Sequence, residues 1–151
     1  MIYPLLVRKI EGNGVNIPYY ELIAGERRLK ALQLLGESEA PVIVKELSDR
    51  KALELSLIEN IQRQELSPIE EALAYQRLSE EFTQTQEQIA ASVGKDRATV
   101  ANTIRLLKLK APVREEVARG HISLGHARAL LSLESERAQI ALAQRIVQEG
   151  L

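Results

Sequence analysis

Leu66 to Phe82 reads LSPIEEALAYQRLSEEF, and no other stretch constrains the fold as tightly. Ser67 stands at a helix N-cap, Pro68 takes the first helical position, and Glu70 completes a reciprocal capping box. A helix has to start there. The same box returns at Thr85 and Gln88, and Gly94 supplies the stop for that helix. Further helices are expected at about 97–107, 113–119, 124–132 and 135–149, with Pro112, Gly120 and Ser123 as punctuation. The first third reads differently. Leu5–Ile10, Tyr19–Ala24 and Pro41–Lys45 are short β-rich runs, and the Gly12-Asn13-Gly14 region supplies a turn between the first two. A helix from about Glu26 to Leu35 separates the second and third runs, with Leu29, Leu32 and Leu35 at helical spacing and Gly36 as its stop. Another, over 49–60, places Ala52, Leu55 and Ile58 on one face.

The expected fold class is α+β. A small sheet-and-helix domain over 1–66 precedes an all-helical domain over 67–151, with the boundary near Leu66-Ser67. A strand beginning at residue 3, with nothing before it to cover the sheet, leaves a raw edge. The chain is therefore expected to be a piece of a longer protein.

Composition excludes several classes. A chain with 45% hydrophobic and 27% charged residues belongs among soluble globular proteins. No apolar run approaches the roughly 18 residues that a membrane span needs. No secretory signal opens the sequence. The absence of cysteine excludes disulfides, zinc fingers and thiol catalysis and fits a cytoplasmic location, while two histidines argue against a histidine-rich metal site. The net charge of −1 conceals an asymmetry. Residues 83–131 hold eight Lys/Arg against four Asp/Glu, whereas residues 46–82 hold four against nine. A local positive region of this kind is what a nucleic-acid footprint requires.

That region contains QEQIAASVGKDRATVANTIRLL, Gln86 to Leu107. A helix-turn-helix needs apolar residues to pin two short helices, a small residue where they cross and a glycine at the turn. Ile89, Ala90, Val93, Gly94, Val100 and Ile104 supply these in order. The second helix then presents Arg97, Ala98, Thr99, Asn102, Thr103 and Arg105 toward a major groove, with Gln86, Lys95 and Lys108 beside it. The competing reading is a plain helical hairpin with a solvated face. Downstream, GHISLGHARALL has Ser123 capping a helix whose first turns carry Gly125, His126 and Arg128, a start suited to a phosphate.

The stretch YYELIAGERRLKAL poses an electrostatic problem. Arg27 and Arg28 open a helix whose N-terminus already carries about half a positive charge, a misplacement of roughly 0.3–1 kcal/mol each. An anion would resolve it, and a triphosphate carries enough charge for both. Glu59 and Asn60 offer hard oxygen ligands of the kind that suit Mg²⁺ bridging phosphates. Internal pairing of the arginines with Glu26, Glu59 or other carboxylates is the alternative. A P-loop pattern is absent.

The segments PLLVRK, YELIAGERRLKA, IENIQRQELSPIEEALAYQRL, TQEQIAASVGKDRATVANTIRLLKL and GHISLGHARALL resemble the successive motifs of the ParB/Spo0J chromosome-partitioning family, in family order. The resemblance implies a protein that binds a palindromic centromere-like site, parS. It also implies binding of CTP and Mg²⁺, slow CTP hydrolysis that resets a switch, and closure of a homodimer into a sliding clamp on DNA. Gly25, Glu26, Arg27 and Arg28 match the motif that holds the triphosphate, with Glu26 the candidate for assisting hydrolysis. Glu59, Asn60 and Arg63 match the second phosphate and metal motif, and Pro4 and Leu5 match the nucleotide-side motif.

Two positions depart from the pattern. Tyr3 stands where glutamine is usual, and Lys30 replaces a common arginine, keeping charge but losing the planar fork. Arg97, Thr103 and Gly125 resemble the partitioning type, whereas Lys108 resembles the nucleoid-occlusion paralogue. In full-length members a ParA-type ATPase and an SMC condensin are the implied partners, on the nucleoid in the cytoplasm. The ATPase-contacting segment and the C-terminal dimerisation domain have no counterpart in these 151 residues. An ordinary helix-turn-helix transcriptional regulator is the alternative function. A sulfiredoxin-like enzyme would need a cysteine, and the chain has none.

Overall fold

Strand β1 (Leu5–Ile10) is the middle of a three-stranded sheet ordered β2-β1-β3 in the computed structural model, which describes residues 3–10, 19–63 and 65–151. It pairs antiparallel with β2 (Tyr19–Ala24) and parallel with β3 (Val42–Lys45), where Leu5 faces Val42 and Arg8 faces Lys45. The register against β2 slips between Leu6 and Val7. Period-2 alternation sends Leu5 and Val7 inward, where Ile23 of β2 and Leu32 of the following helix are also buried. The Gly12-Asn13-Gly14 turn lies outside the described residues.

Helix α1 (Glu26–Leu34) follows β2 directly and stops at Leu35 and Gly36, where φ is 74°. Helix α2 (Asp49–Ile61) begins after Ser48, whose hydroxyl accepts the Lys51 N–H at 3.3 Å, and buries Ala52. Beside it, the Arg8 guanidinium bonds the carboxylates of Glu21 and Asp49.

The chain divides into two compact units, Met1–Asn60 and Ile61–Leu151. Among its described residues, the regular elements of the second unit are all helices. Its elements are α3 (Pro68–Phe82), α4 (Gln86–Val93), α5 (Arg97–Arg105), a short 3₁₀ turn (Leu106–Lys108), α6 (Ala111–Ala118), α7 (Leu124–Leu130) and α8 (Glu136–Glu149). Both expected capping boxes form. Ser67 Oγ accepts the Glu70 N–H at 3.2 Å while Glu70 accepts the Ser67 N–H at 2.7 Å, and Thr85 and Gln88 repeat the exchange. The helix expected over 97–107 tightens after Arg105, because Leu109 turns extended to bury itself with Leu106, Val113 and Val117. Helix α6 starts earlier than expected, at Ala111, since Pro112 is tolerated in a first turn. Tyr75 and Leu78 of α3, Ile89 of α4 and Val100 of α5 are fully buried, and Leu106, Val113, Ile122, Leu130 and Ile146 belong to one apolar cluster. Among the described residues no helix is long and apolar enough to cross a membrane.

Candidate nucleic-acid interface and phosphate site

At the end of β2, Gly25 adopts φ 112° and ψ 23°, left-handed backbone that a side chain disfavours. Space forbids one as well. A Cβ there would lie 2.8 Å from Cδ2 of Leu5 and 3.3 Å from Nη2 of Arg28. Arg28 curls back from the first turn of α1 and donates from Nη1 to the carbonyls of Pro4 at 2.7 Å and Tyr3 at 3.2 Å. One arginine is thus answered locally, by carbonyl dipoles that pin the entry of β1 to the start of α1. No described carboxylate pairs with Arg27, which is exposed beside Glu26 and near exposed Lys30.

Helices α3, α4, α5, α7 and α8 each receive a side-chain N-cap, whereas α1 and α6 receive none. The first backbone bond of α1 runs from the Leu29 N–H to the Gly25 carbonyl at 2.9 Å. No side-chain cap answers the first turn of α1, the element that carries Arg27, and a helix start of this kind suits an anion. The structure brings Tyr3, Pro4, Leu5, Gly25 and Arg28 together. Glu59, half-buried, and Asn60, exposed, lie at the C-terminal end of α2 in the same unit. Arg63 lies in the second unit, lining a cavity of about 580 Å³ with Gln62, Glu71, Tyr75 and Lys95. There the Tyr75 phenol donates to Glu71, and burial pushes that phenol up from its usual pKa. Among the described residues no three His, Asp or Glu side chains converge on a cation site. A magnesium ion held by Glu59 and Asn60 would thus complete its shell from phosphate and water, its ordinary habit.

The helix-turn-helix is built as its sequence requires. Ile89, Ala90, Val93 and Val100 are buried, and Gly94 caps α4 at φ 68° with its N–H on the Ala90 carbonyl. Asp96, absent from the sequence-based site, starts α5. Its Oδ1 accepts the Thr99 N–H at 2.7 Å and its Oδ2 accepts the Thr99 hydroxyl at 2.6 Å. That hydroxyl, with the backbone N–H, holds the Asp96 carboxyl below its usual range. Thr99 is accordingly occupied with the cap, while Arg97 and Ala98 stand exposed at the front of the helix. An Asp three residues before a Thr at a helix start was the available signal for this cap.

A cleft of about 140 Å³ joins α5 to α7, lined by Thr99, Asn102, Thr103, Leu106, Leu124 and Arg128. The two DNA-facing segments read from sequence therefore share one surface. Ser123 Oγ accepts the His126 N–H at 3.2 Å, and Nδ1 of His126 is buried without a hydrogen-bond partner among the described residues. A Cβ on Gly125 would meet only Ser123 Oγ, at an ordinary 3.7 Å, and this glycine has no positive φ. Internal sterics do not demand glycine there. Lys95, Arg105 and Lys108 are exposed, and Gln86 is half-buried at the start of α4.

Residues 1–61 match the ParB N-terminal domain and residues 64–151 the ParB HTH domain. The chromosome-partitioning protein Spo0J of Thermus thermophilus is 51% identical over 151 residues, 100% of this chain and 53% of that protein. The C-terminally truncated chromosome-partitioning protein ParB from Caulobacter crescentus, solved complexed to the centromeric parS site, superimposes with a TM-score of 0.89 at 42% identity. That match covers 99% of this chain and 77% of the other. A complex of the Caulobacter protein with CTP-gamma-S aligns at 42% identity and a TM-score of 0.45, over 97% of this chain and 78% of that one. The chain spans about half the length of the curated relatives it matches. It belongs to the ParB family of chromosome-partitioning proteins.

Proposed function

We propose that this chain is the nucleotide-gated, DNA-reading part of a partition protein. Helix α5 enters the major groove of parS, where Arg97 reads a base edge and Asn102 and Thr103 contact bases or phosphates. Helix α7 follows the backbone with Ser123, Gly125, His126 and Arg128. Gln86, Lys95, Arg105 and Lys108 extend this surface. In the first unit, Gly25, Arg27 and the first turn of α1 grip the triphosphate of CTP, while Arg28 holds Tyr3 and Pro4 in place, beside Leu5, for the nucleoside. Lys30 adds positive charge beside them. Glu59 and Asn60 would hold Mg²⁺, which when bound neutralises phosphate charge, and Arg63 is a further candidate for phosphate binding. Glu26 assists a slow hydrolysis that resets the switch. In the full-length protein two chains close as a clamp around DNA on the nucleoid, with a ParA-type ATPase and an SMC condensin as partners.

The observation that carries the nucleotide half is the Gly25 turn. Its glycine is required twice over, and the helix after it is left uncapped beside an exposed arginine. Calorimetric titration of CTP with Mg²⁺ into wild-type chain and Arg27→Ala tests it. Loss of binding in the variant, with parS affinity retained, is expected; unchanged CTP affinity removes the site. A second reading is favoured by Lys108, which resembles the nucleoid-occlusion paralogue. Binding to parS weaker than to a nucleoid-occlusion operator would select it.

A further inference from the structure

Arg8 is a doubly paired cation of the first unit, and the functional reading above leaves it without a task. It lies in the central strand β1, with its side chain only 13% exposed. Its guanidinium bonds Glu21 across the β1–β2 ladder, where the two residues are register partners. Nη1 donates to Oδ1 of Asp49 at 2.5 Å and points at the Leu47 carbonyl at 3.5 Å. Asp49, by contrast, is a first-turn residue of α2 whose side chain is 96% exposed. An exposed carboxylate bonded to a sequestered guanidinium is the mark of a tether, because the carboxylate gains no burial of its own.

From this geometry we infer that Arg8 is a positioning residue, fixing the start of α2 on the sheet so that Glu59 and Asn60 at its far end meet Mg²⁺ in register. The inference rests on the phosphate and metal reading above. Glu59 is ten residues beyond Asp49, about 15 Å along the helix. A tilt of about 10° at the anchored end displaces the far end by about 2.5 Å over that length. Magnesium tolerates little of this, since it demands near-octahedral ligands at about 2.0–2.1 Å. Burial along α2 is light on the sheet side. Ala52 is its buried residue within the first unit, and Leu53 and Ser56 line a small open cleft with Arg8, Leu22 and Ile23. A polar tether therefore has an orienting task that packing leaves undone.

The test measures the magnesium concentration for half-maximal CTP binding by the 151-residue chain. Asp49→Asn keeps the side chain's shape and removes the charge that Arg8 holds. Lys51→Ala removes the 2.9 Å pair with Glu54 on the same helix but leaves the tether intact. Asp49→Asn is expected to raise the magnesium requirement by roughly two- to fivefold, the effect of losing one exposed ion pair that orients the helix. Lys51→Ala should leave it near the wild-type value, and the thermal midpoints of the two nucleotide-free variants should agree. An unchanged requirement in Asp49→Asn overturns the inference. So does a lowered midpoint with CTP binding weakened equally at every magnesium concentration, which would make the contact merely structural. If Arg27→Ala binds CTP like wild type, the phosphate site itself is misassigned and the positioning role falls with it. If Arg27→Ala fails to bind while Asp49→Asn behaves as wild type, only the tether is refuted.

Discussion

The backbone N–H of Lys110 donates to Oε1 of Gln139 at 2.9 Å, across 29 residues of sequence. Nε2 of the same amide donates to the Leu130 carbonyl at 3.1 Å, and Gln139 is 4% exposed. One side chain thus joins the entry of α6, the end of α7 and the body of α8. Gln139→Leu fills similar space but strands a donor and an acceptor away from water. It should cost about 1–3 kcal/mol, read as a lower denaturant midpoint with an unchanged slope.

Gly125 should behave in the opposite sense. Its backbone and surroundings accept a methyl group, so Gly125→Ala ought to stabilise the second unit by up to about 0.5–1 kcal/mol. DNA affinity should fall in the same variant, because the bare backbone lets a phosphate approach closely. Paired thermal melts and fluorescence-anisotropy titrations check both signs. A variant that is more stable and binds equally well would show the glycine to be incidental.

Arg97 and Arg128 should separate by sequence dependence. Arg97→Ala is expected to lose about 1–3 kcal/mol on parS and much less on scrambled duplex. Arg128→Ala, at the cleft between α5 and α7, should weaken both duplexes alike and shallow the salt dependence by about one ion. Equal losses on both duplexes for Arg97→Ala would reduce it to a backbone contact.

Acid should loosen the DNA-reading helix through Asp96. Its carboxyl is held below the usual range by the Thr99 hydroxyl and N–H groups. A depressed folded-state pKa gives stability that is complete above the ordinary carboxylate value and disappears as pH falls through the folded value. Asn caps helices nearly as well and does not titrate. The stability gap between wild type and Asp96→Asn should therefore shrink steadily below about pH 4, the ordinary Asp value. A gap independent of pH would mean the cap carries no charge effect.

The two adjacent arginines should differ in kind. Arg28→Ala removes the bonds to the Tyr3 and Pro4 carbonyls and should lower the thermal stability of the first unit. Arg27→Ala should leave that stability unchanged and act only on nucleotide binding. Equal melting of the two variants contradicts this division.

What the sequence disclosed and what it hid follow from the range of the interactions. Ser67, Glu70, Thr85, Gln88 and Gly94 act within a few residues of themselves, so their roles are readable from spacing alone. Ile89, Val93 and Val100 were legible because helical period and burial coincide. Arg28 was not, because its acceptors lie 24 and 25 residues upstream and are backbone carbonyls, which have no signature in the sequence. Gln139 looked like any polar residue on an amphipathic helix until α6 and α7 were seen to close over it. Arg8 was hidden likewise, since a partner 41 residues away is invisible to local pattern.

The first unit buries few apolar side chains among its described residues, with Leu5, Val7, Ile23, Leu32 and Ala52 at their heart. Domains of that size sit near the threshold of independent folding. Any molecule that binds only the ordered form lends it cohesion in proportion to the logarithm of concentration over dissociation constant. Where a ligand binds only the ordered form of this half, occupancy and foldedness become one variable, and a protease or an exchanging amide would register its concentration as directly as any binding assay.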